Sequence, residues 1–470
     1  MPRVPWPDDA QPVRHNGCSA ISAPLAPVNP PMTEQRPLRV AILGVGTIGA
    51  EVVRGFLRNP DRQIGPAGGR MLELVAIAEL NAQSAVDRGM PRDLIVPDAA
   101  ALIRRDDVDI VVELIGGDEP ARTFIADALA SGKPVVTANK LVLALHGAEL
   151  ESIARANHVA LRFEASVCGG TPVLDPLARD LSANRIRRVR GIVNGSTNFI
   201  LTEMMQARRN YDEVLAAAQA QGYAERDPSA DVEGHDAANK LAILTRLAFG
   251  AWPEIDSIIA CPPSLRGDGK PGITGVTAND IAGVVALGLA IRLVATVSSA
   301  GTAEPELGLA GSVMTCAVPV KAPLGRTDGV LNRLEVDADP VGRVSFEGPG
   351  AGGPATSSAV LADLLEVARS GLSTWADLPP AAADLVTLAD DRSGIRRPWF
   401  VCLPGVLPEE IPGRLTDEIA GPPPSSVPRH RSRSWAAVQT RPLPLAEIRE
   451  AIAPLIADDR DVPIYPILTS

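Results

Sequence analysis

Short apolar runs alternate with spaced apolar positions between residue 38 and about residue 165. The short runs predict buried strands at residues 39–43, 72–78, 110–114, 134–137 and 160–165. Apolar positions three and four residues apart predict helices between them, such as 120–130 and 145–156. Strands that alternate with helices form parallel sheets with both faces covered. We therefore expect a doubly wound α/β domain over residues 38–165.

The pattern changes after residue 165, where longer helical periods at 201–221 and 235–249 accompany a short strand at 187–193. This mixture predicts an α+β domain over residues 166–346. The apolar run at 281–297 is interrupted by Arg292 and is too short for a bilayer, so we predict a buried helix and no membrane partner. The glycine-rich turn and helix at 347–375 are expected to return to the first domain.

The two ends of the chain differ from its middle. Residues 1–37 contain nine prolines and no packing period, which predicts a flexible tail. Residues 395–470 alternate predicted strands at 399–403, 435–440 and 462–468 with a helix at 445–456. A Pro/Ser/Arg-rich loop at 421–433 interrupts them. We interpret this end as a small α/β module of the regulatory type.

Composition excludes several classes of protein. The net charge of −11 argues against a nucleic-acid or anionic-membrane partner, because both need clustered positive charge. The five cysteines are scattered, and none forms a CxxC pair. A disulfide framework or a zinc site is therefore not expected, and a reducing cytoplasm fits this usage.

Lysine is rare in this chain, since only five of the 45 basic residues are lysines. An arginine stays protonated, whereas the pKa of a lysine can be tuned for proton exchange. Lys140 follows the predicted strand at 134–137, and the carboxyl ends of parallel strands border the ligand crevice. We predict a functional role for Lys140, the alternative being a solvated surface charge.

The segment Gly44-Val45-Gly46-Thr47-Ile48-Gly49 lies between a predicted strand and a predicted helix. This context is what the dinucleotide-binding motif GxGxxG requires. Its glycines permit the tight turn, the approach of the pyrophosphate and close packing of helix on strand. The motif predicts a Rossmann-type nucleotide site at Gly44, Gly46 and Gly49.

Glu79 ends the strand at 72–78, where an acidic residue binds the adenosine ribose in such domains. The neighbouring Ala78 is not a phosphate-binding arginine. These residues favour NAD over NADP, although Arg70 or Arg88 would reverse the preference if either reached the ribose.

A dense group of charged residues lies between Glu225 and Lys240. Asp236 and Lys240 are four residues apart, so on a helix they share one face. The simplest interpretation of these two residues is an ion pair on the protein surface. The apolar run after Lys240 instead favours a partly buried lysine, whose pKa falls near another cation and suits acid–base catalysis. The surrounding carboxylates would then hold a substrate ammonium group.

Seven ordered motifs resemble homoserine dehydrogenase. They are LGVGTIG at 43–49, ELIGGDEP at 113–120, TANK at 137–140, EASVCGGTP at 164–172, GIVNGSTN at 191–198, the run 225–240 and GPGAGG at 348–353. The resemblance extends from about residue 39 to residue 370. It implies NAD- or NADP-dependent interconversion of L-homoserine and L-aspartate 4-semialdehyde, a step toward threonine and methionine.

The resemblance also implies roles for individual residues. Lys240 becomes the acid–base residue, with Lys140 as its partner. Nucleotide contacts fall on Gly46, Thr47, Ile48, Lys140 and Gly352, with Ile115 and Gly116 lining the same crevice. Substrate contacts fall on Glu225, Asp231, Asp236 and Ser196. A monovalent cation, usually sodium, is implied near Glu164, Val167, Gly169 and Thr171, mostly through backbone oxygens.

The resemblance is to the monofunctional enzymes, since no aspartate kinase segment precedes the nucleotide-binding region. Relatives of this kind form homodimers or homotetramers, and many end in a threonine-sensing ACT domain. The 395–470 module has a suitable length for one but a divergent sequence, which leaves threonine inhibition open.

Two other functions remain open at this point. Cys168 lies in a glycine-rich turn and would be the nucleophile of an aldehyde dehydrogenase, although a small buried hydrophobic residue is its commoner role. A nucleotide or amino-acid sensor that keeps the fold without turnover is the second alternative.

Overall fold

The computed structural model describes residues 36–65, 69–258, 261–299, 308–375, 378–382, 384–390, 396–421, 434–456 and 460–468. Every helix and strand of these residues belongs to one compact unit, Pro37–Ser470. The predicted tail at 1–37 lies outside the described residues except for residues 36 and 37. The predicted loop at 421–433 lies outside them except for residue 421.

A seven-stranded sheet occupies the first part of the described chain. Its strands are β1 (Leu38–Leu43), β2 (Gln63–Ile64), β3 (Leu72–Ala78), β4 (Ile95–Val96), β5 (Ile110–Glu113), β6 (Val135–Thr137) and β7 (Leu161–Arg162). The order is β2-β3-β1-β5-β6-β7, with β4 also paired to β3. All pairs are parallel except β2 with β3. This arrangement confirms the predicted doubly wound class.

The carboxyl ends of the central strands meet at one edge of this sheet. Leu43 pairs with both Ala78 and Glu113, and Glu113 pairs with Thr137. The loops after β1, β3, β5 and β6 therefore border a common crevice. Five helices connect these strands: α1 (Thr47–Leu57), α2 (Ala82–Asp87), α3 (Ala99–Ile103), α4 (Ala121–Ala130) and α5 (Lys140–Ala156).

A second sheet is antiparallel and has five strands. They are β8 (Arg185–Ile192), β9 (Leu289–Ser299), β10 (Leu309–Pro319), β11 (Leu331–Asp339) and β12 (Gly342–Pro349), in the order β10-β9-β8-β11-β12. The accompanying helices are α6 (Gly195–Ala207), α7 (Tyr211–Ala220), α8 (Ser229–Val232), α9 (His235–Phe249), α10 (Ala278–Ala286) and α11 (Pro323–Arg326). Helices α6, α9 and α10 pack against β9.

Helix α9 also packs against α5, and this contact joins the two sheets. The buried Glu151 of α5 accepts two hydrogen bonds from Arg246 of α9, at 2.6 and 2.8 Å, and a third from Trp252 at 3.0 Å. Removing one partner of such a buried pair is strongly destabilising, because the other charge loses its compensation. The pair therefore fixes α9 relative to α5. Lys140 is the first residue of α5, so its position relative to α9 is constrained as well.

Helix α12 (Gly353–Arg369) returns to the first sheet and packs along α1. Its buried Asp363 accepts a hydrogen bond of 2.8 Å from Nε of Arg162 on β7. This packing agrees with the expected return of the 347–375 segment. The exact domain boundaries remain a prediction.

The last part of the described chain forms a four-stranded antiparallel sheet. It contains β13 (Trp399–Pro404), β14 (Thr416–Ala420), β15 (Trp435–Thr440) and β16 (Ile464–Pro466), in the order β14-β15-β13-β16. Helix α13 (Leu445–Ile452) packs on one face, and α10 packs on the other. Gly283 allows this approach, since a Cβ there would lie 2.8 Å from the Cβ of Ala437. That this module is ACT-like and regulatory remains a prediction.

Three predicted elements are wrong in part. The run 281–297 is the end of helix α10 followed by strand β9, because Gly288 has a φ of +67° and ends the helix before a β-branched segment. The helix predicted at 201–221 is two helices, separated at Arg208, whose φ is +52°. The strand predicted at 160–165 is only Leu161–Arg162, followed by a 3-10 turn. Among the described residues, no helix is long and apolar enough to cross a membrane.

Asp280 gives the contact between α10 and the last sheet a pH dependence. Its buried carboxylate accepts hydrogen bonds from Thr277 and, at 3.3 Å, from the hydroxyl of Tyr465. Burial raises the pKa of Asp280 from 3.8 to about 6. The unfolded chain thus releases this proton at lower pH than the folded chain, so stability falls as pH rises between these two values.

We expect Asp280→Asn to remove this loss of stability at rising pH. Relative to the variant, the wild-type free energy of unfolding should fall by up to about 3 kcal/mol between pH 4 and pH 7. Urea unfolding at several pH values measures the difference, and the same substitution at the exposed Asp127 serves as the control. A constant difference between wild type and Asp280→Asn across this range would contradict the account.

Candidate active site

The turn between β1 and α1 has the geometry that its glycines predict. Gly44 has a φ of +88°, a conformation that favours glycine. A Cβ on Gly49 would lie 2.1 Å from the carbonyl oxygen of Gly44, so α1 packs directly on the turn. Gly46 has no neighbouring atom within 4 Å of its Cβ position and faces the crevice. The N-terminus of α1 is thereby open to an anionic group.

One half of the crevice is a cavity of about 720 Å³ that lies over the ends of β1 and β3. Gly44, Gly46, Glu79 and Ile115 line it. Arg88 lines it as well and donates a hydrogen bond of 2.6 Å to the carbonyl oxygen of Val45. The cavity has the position that an adenosine ribose takes in such folds.

The other half is a cavity of about 700 Å³ that shares Gly46 and Ile115 with the first. Nine of the predicted site residues line this second cavity: Gly46, Thr47, Ile48, Ile115, Gly116, Lys140, Glu225, Asp231 and Asp236. The structure thus brings together residues from the loops after β1, β5 and β6 with residues that begin α9. The predicted nucleotide and substrate residues meet in one continuous crevice.

Glu113 shapes the loop in the middle of this crevice, and the motif analysis gave it no role. Its buried carboxylate accepts hydrogen bonds from the backbone N–H groups of Ile115 and Gly116, at 2.8 and 3.1 Å, and from the Thr137 hydroxyl at 2.6 Å. It therefore connects the loops after β5 and β6. Its position as the last residue of a buried apolar strand was the available signal.

Asn139 places Lys140 at the start of α5. The Asn139 side-chain oxygen caps the helix at the N–H of Val142, and its amide donates a hydrogen bond of 2.8 Å to the carbonyl oxygen of Gly117. Lys140 is therefore the first residue of the helix, beside the crevice.

Asp236 lies between the two lysines. Its Oδ2 accepts a hydrogen bond of 2.7 Å from Nζ of Lys240, and its Oδ1 is 3.2 Å from Nζ of Lys140. Nζ of Lys240 also donates to the carbonyl oxygen of Val193 at 2.7 Å. Lys240 and Asp236 are buried, whereas 40% of the Lys140 side chain is exposed to the crevice. Asp236 thus links a buried ammonium group to an accessible one.

The electrostatics of this cluster differ from the sequence-based expectation. Burial would raise the pKa of Asp236, but the charges of Lys240 and Lys140 lower it to about 2. Burial lowers the pKa of Lys240, and the Asp236 carboxylate outweighs burial and raises it above the ordinary lysine value. The expectation that burial and a neighbouring cation lower the pKa of Lys240 is therefore wrong for this arrangement, because the Asp236 carboxylate lies between the two lysines.

Asn194 is the second residue of the site to which the motif analysis gave no role, although it lies within the motif at 191–198. Its amide donates to Oδ1 of Asp231 at 2.7 Å and to Oδ2 of Asp236 at 2.8 Å, and its oxygen caps α6. It holds both carboxylates at the crevice. Ser196, two residues later, is not among the residues that line the cavity. A contact between Ser196 and substrate stays a prediction.

The other predicted positions lie around the crevice. Glu225 is exposed and lines it together with Asp231 and Asp236. Gly352 has a φ of +108° and precedes α12, whose first residue, Gly353, would place a Cβ 3.2 Å from the carbonyl oxygen of Thr47. Gly352 is therefore adjacent to the nucleotide turn but does not line either cavity.

The predicted cation positions form a tight turn below Lys240. The Glu164 carboxylate accepts backbone hydrogen bonds from Val173, Leu174 and Asp175 at 2.7 to 2.9 Å, so it closes this turn. Among the described residues, no group of three His, Cys, Asp or Glu side chains is placed to hold a metal ion. A cation here would rely on backbone oxygens or on neutral side-chain oxygens instead.

Cys168 is buried in the same turn, and burial raises the pKa of its thiol to about 11. A nucleophilic cysteine needs an accessible thiolate, which a low thiol pKa provides. The geometry thus disfavours the aldehyde dehydrogenase alternative.

Comparison with known proteins gives consistent matches. Residues 44–164 match the family model "Homoserine dehydrogenase, NAD binding domain", and residues 172–365 match the model "Homoserine dehydrogenase". Homoserine dehydrogenase of Mycobacterium tuberculosis is 41% identical over 74% of this chain and 78% of its own length. That of Corynebacterium glutamicum is 41% identical over 73% and 76%.

Solved structures agree with these matches. A homoserine dehydrogenase from Thiobacillus denitrificans has a TM-score of 0.74 and 32% identity, and the match covers 92% of this chain and 98% of that one. A hyperthermophilic archaeal homoserine dehydrogenase in complex with NADPH has a TM-score of 0.57 and 26% identity, over 70% of this chain and 97% of that one.

We expect Gly46→Ala to separate folding from nucleotide binding. The added methyl group meets no protein atom but occupies the space through which a pyrophosphate approaches the turn. Calorimetry should show NAD and NADP binding weakened at least about tenfold, a loss of about 1.4 kcal/mol, with little change in Tm. Gly413→Ala, at another open glycine, is the control. Unchanged binding in Gly46→Ala would contradict this placement of the nucleotide.

Proposed function

The chain belongs to the homoserine dehydrogenase family, and we propose that the crevice bordered by Lys140, Asp236 and Glu225 is its active site. The enzyme is an NAD(P)-dependent oxidoreductase of threonine, methionine and isoleucine biosynthesis. It interconverts L-homoserine and L-aspartate 4-semialdehyde. The observation that carries the site assignment is the single carboxylate, Asp236, held between two lysines at the end of the nucleotide crevice.

The residues around the fingerprint turn fit a nicotinamide dinucleotide. Gly44, Gly46 and Gly49 leave room for the pyrophosphate at the start of α1, and Thr47 and Ile48 continue along the crevice. Ile115, Gly116 and Lys140 border the half that the nicotinamide would occupy, and Gly352 lies next to the nucleotide turn. When bound, the nicotinamide ring donates or accepts the hydride.

The carboxylates that line the second cavity fit an amino-acid substrate. Glu225 and Asp231 face the cavity together with Asp236, and an ammonium group is the complementary charge. Asn194 holds Asp231 and Asp236 in place. We assign Glu225 and Asp231 to the substrate ammonium, which leaves the reacting carbon near the lysines.

Lys240 is the acid–base residue of the proposal. Because Asp236 raises its pKa, Lys240 is protonated and ready to donate a proton to the carbonyl oxygen of the semialdehyde. In the reverse direction Lys240 must first lose its proton, and the neutral amine then receives the hydroxyl proton of homoserine. Lys140 reaches the crevice with a second positive charge, which stabilises negative charge on the reacting oxygen.

We expect Lys240→Arg to lower kcat by about 10²- to 10⁴-fold, because a guanidinium keeps the charge but does not exchange the proton. Absorbance of the reduced nicotinamide measures the rate with homoserine, and Lys321→Arg, at an exposed lysine, is the matched control. Near-wild-type turnover in Lys240→Arg would contradict the proposed role. Loss of turnover in Cys168→Ala would favour the thioester route, and a folded wild type without turnover would favour the sensor.

A monovalent cation, sodium in this family, belongs to the proposal at the turn of Glu164, Val167, Gly169 and Thr171. The residues fit such an ion: Gly169 is in the left-handed region, and Asn332, whose buried side chain lies against Gly350 and Cys168, has no hydrogen-bond partner for its amide oxygen. Orphaned buried oxygens of this kind accept an ion or a water molecule.

We expect sodium to stabilise the chain specifically. An ion that binds the folded state and not the unfolded state raises Tm as its free concentration increases. Thermal unfolding in sodium chloride should therefore give a higher Tm than in choline chloride at equal ionic strength. Identical values at all concentrations would remove sodium from the proposal.

The wider setting is also part of the proposal. The family resemblance supports a homodimer or homotetramer, which sedimentation velocity measures. Four free cysteines among the described residues support a reducing compartment, the cytoplasm.

A further inference from the structure

The adenosine half of the crevice carries an excess of negative charge. Its only charged lining residues in the described chain are Glu79, Asp98 and Arg88. We propose that Glu79 makes this enzyme prefer NAD to NADP. The inference rests on the proposed nucleotide site and goes beyond it, because the family as a whole uses either cofactor.

Glu79 is held in place by the backbone around it. Its Oε2 is 3.4 Å from the N–H of Val45 in the nucleotide turn, and its Oε1 accepts a hydrogen bond of 3.1 Å from the N–H of Asn81. The carboxylate therefore bridges the end of β3 and the glycine-rich turn. These contacts keep it where the ribose hydroxyls of the nucleotide would lie.

Neither arginine that would reverse the preference is placed to outweigh Glu79. Arg70 does not line the cavity. Arg88 does, but one of its N–H groups is bound to the carbonyl oxygen of Val45 at 2.6 Å, on the same turn that Glu79 contacts. Asp98 adds a second carboxylate while capping α3.

The two cofactors meet this site differently. The 2′-hydroxyl of NAD donates a hydrogen bond to a carboxylate, whereas the 2′-phosphate of NADP adds up to two negative charges next to Glu79. Like charges brought together in a partly closed cavity are strongly unfavourable. Glu79 thus attracts one cofactor and repels the other.

Binding of each nucleotide to the wild-type chain is the first test. Calorimetry with NAD alone and with NADP alone needs no turnover, so it remains informative if the enzyme assay fails. We expect the dissociation constant of NAD to be at least about tenfold lower, a difference of about 1.4 kcal/mol. Equal affinities, or tighter binding of NADP, would overturn the proposal. If neither NAD nor NADP binds, the nucleotide site itself is refuted.

Glu79→Gln identifies the residue responsible. The amide keeps an acceptor for the backbone N–H groups but loses the charge, which leaves Arg88 and Asp98 as the charged residues that line the cavity in the described chain. We expect the NADP-to-NAD ratio of association constants, and the same ratio of kcat/KM values with homoserine, to rise at least about tenfold. Glu73→Gln, the same change at the other end of β3, is the control. An unchanged ratio in a folded Glu79→Gln variant would assign the preference elsewhere.

Discussion

The hydrogen bond between Asp236 and Lys240 is the interaction on which the site depends. The ammonium group of Lys240 is buried against the carbonyl oxygen of Val193, and burying such a charge is costly unless a carboxylate compensates it. Asp236 supplies that negative charge through Oδ2, and its Oδ1 also pairs with the ammonium group of Lys140. The pair therefore has two consequences: Lys240 is tolerated in the interior, and it keeps its proton beside Asp236, which lines the crevice.

The fold holds Lys140 next to this pair although it comes from a separate segment of the chain. Lys140 begins α5, and Asp236 and Lys240 share the first two turns of α9. The ion pair between Glu151 and Arg246 connects these helices farther along. Asn194 adds a third point of attachment from the end of β8. The geometry at the crevice thus follows from contacts outside it.

Much of this arrangement is predictable from sequence. The apolar periods predict β3, β15 and α9 with the bounds that the structure has, because each is a regular element whose core-facing positions are uninterrupted. The glycine motif predicts the nucleotide turn for the same local reason. The prediction for the run 281–297 is wrong because a buried helix and a buried strand have the same apolar composition, and the sequence does not show that Gly288, rather than Gly283, ends the helix.

Site details that depend on long-range contacts were not predictable. Glu113 and Asn194 act through hydrogen bonds to residues distant in sequence, and nothing in their local pattern distinguishes them from ordinary strand-end and capping residues. The pKa of Lys240 was predicted to fall because the position of Asp236 between the lysines was unknown. A one-dimensional pattern gives the charges but not their order in space.

The protonation of Lys240 tests the account most directly. Because the chain has only five lysines, carbon-13 labelling of the lysine ε position gives a spectrum simple enough to follow each one by NMR during a pH titration. The account predicts that Lys240 titrates above the ordinary lysine pKa in the wild type, and at a clearly lower pH in Asp236→Asn. Titration of Lys240 at the same pH in both proteins would contradict it.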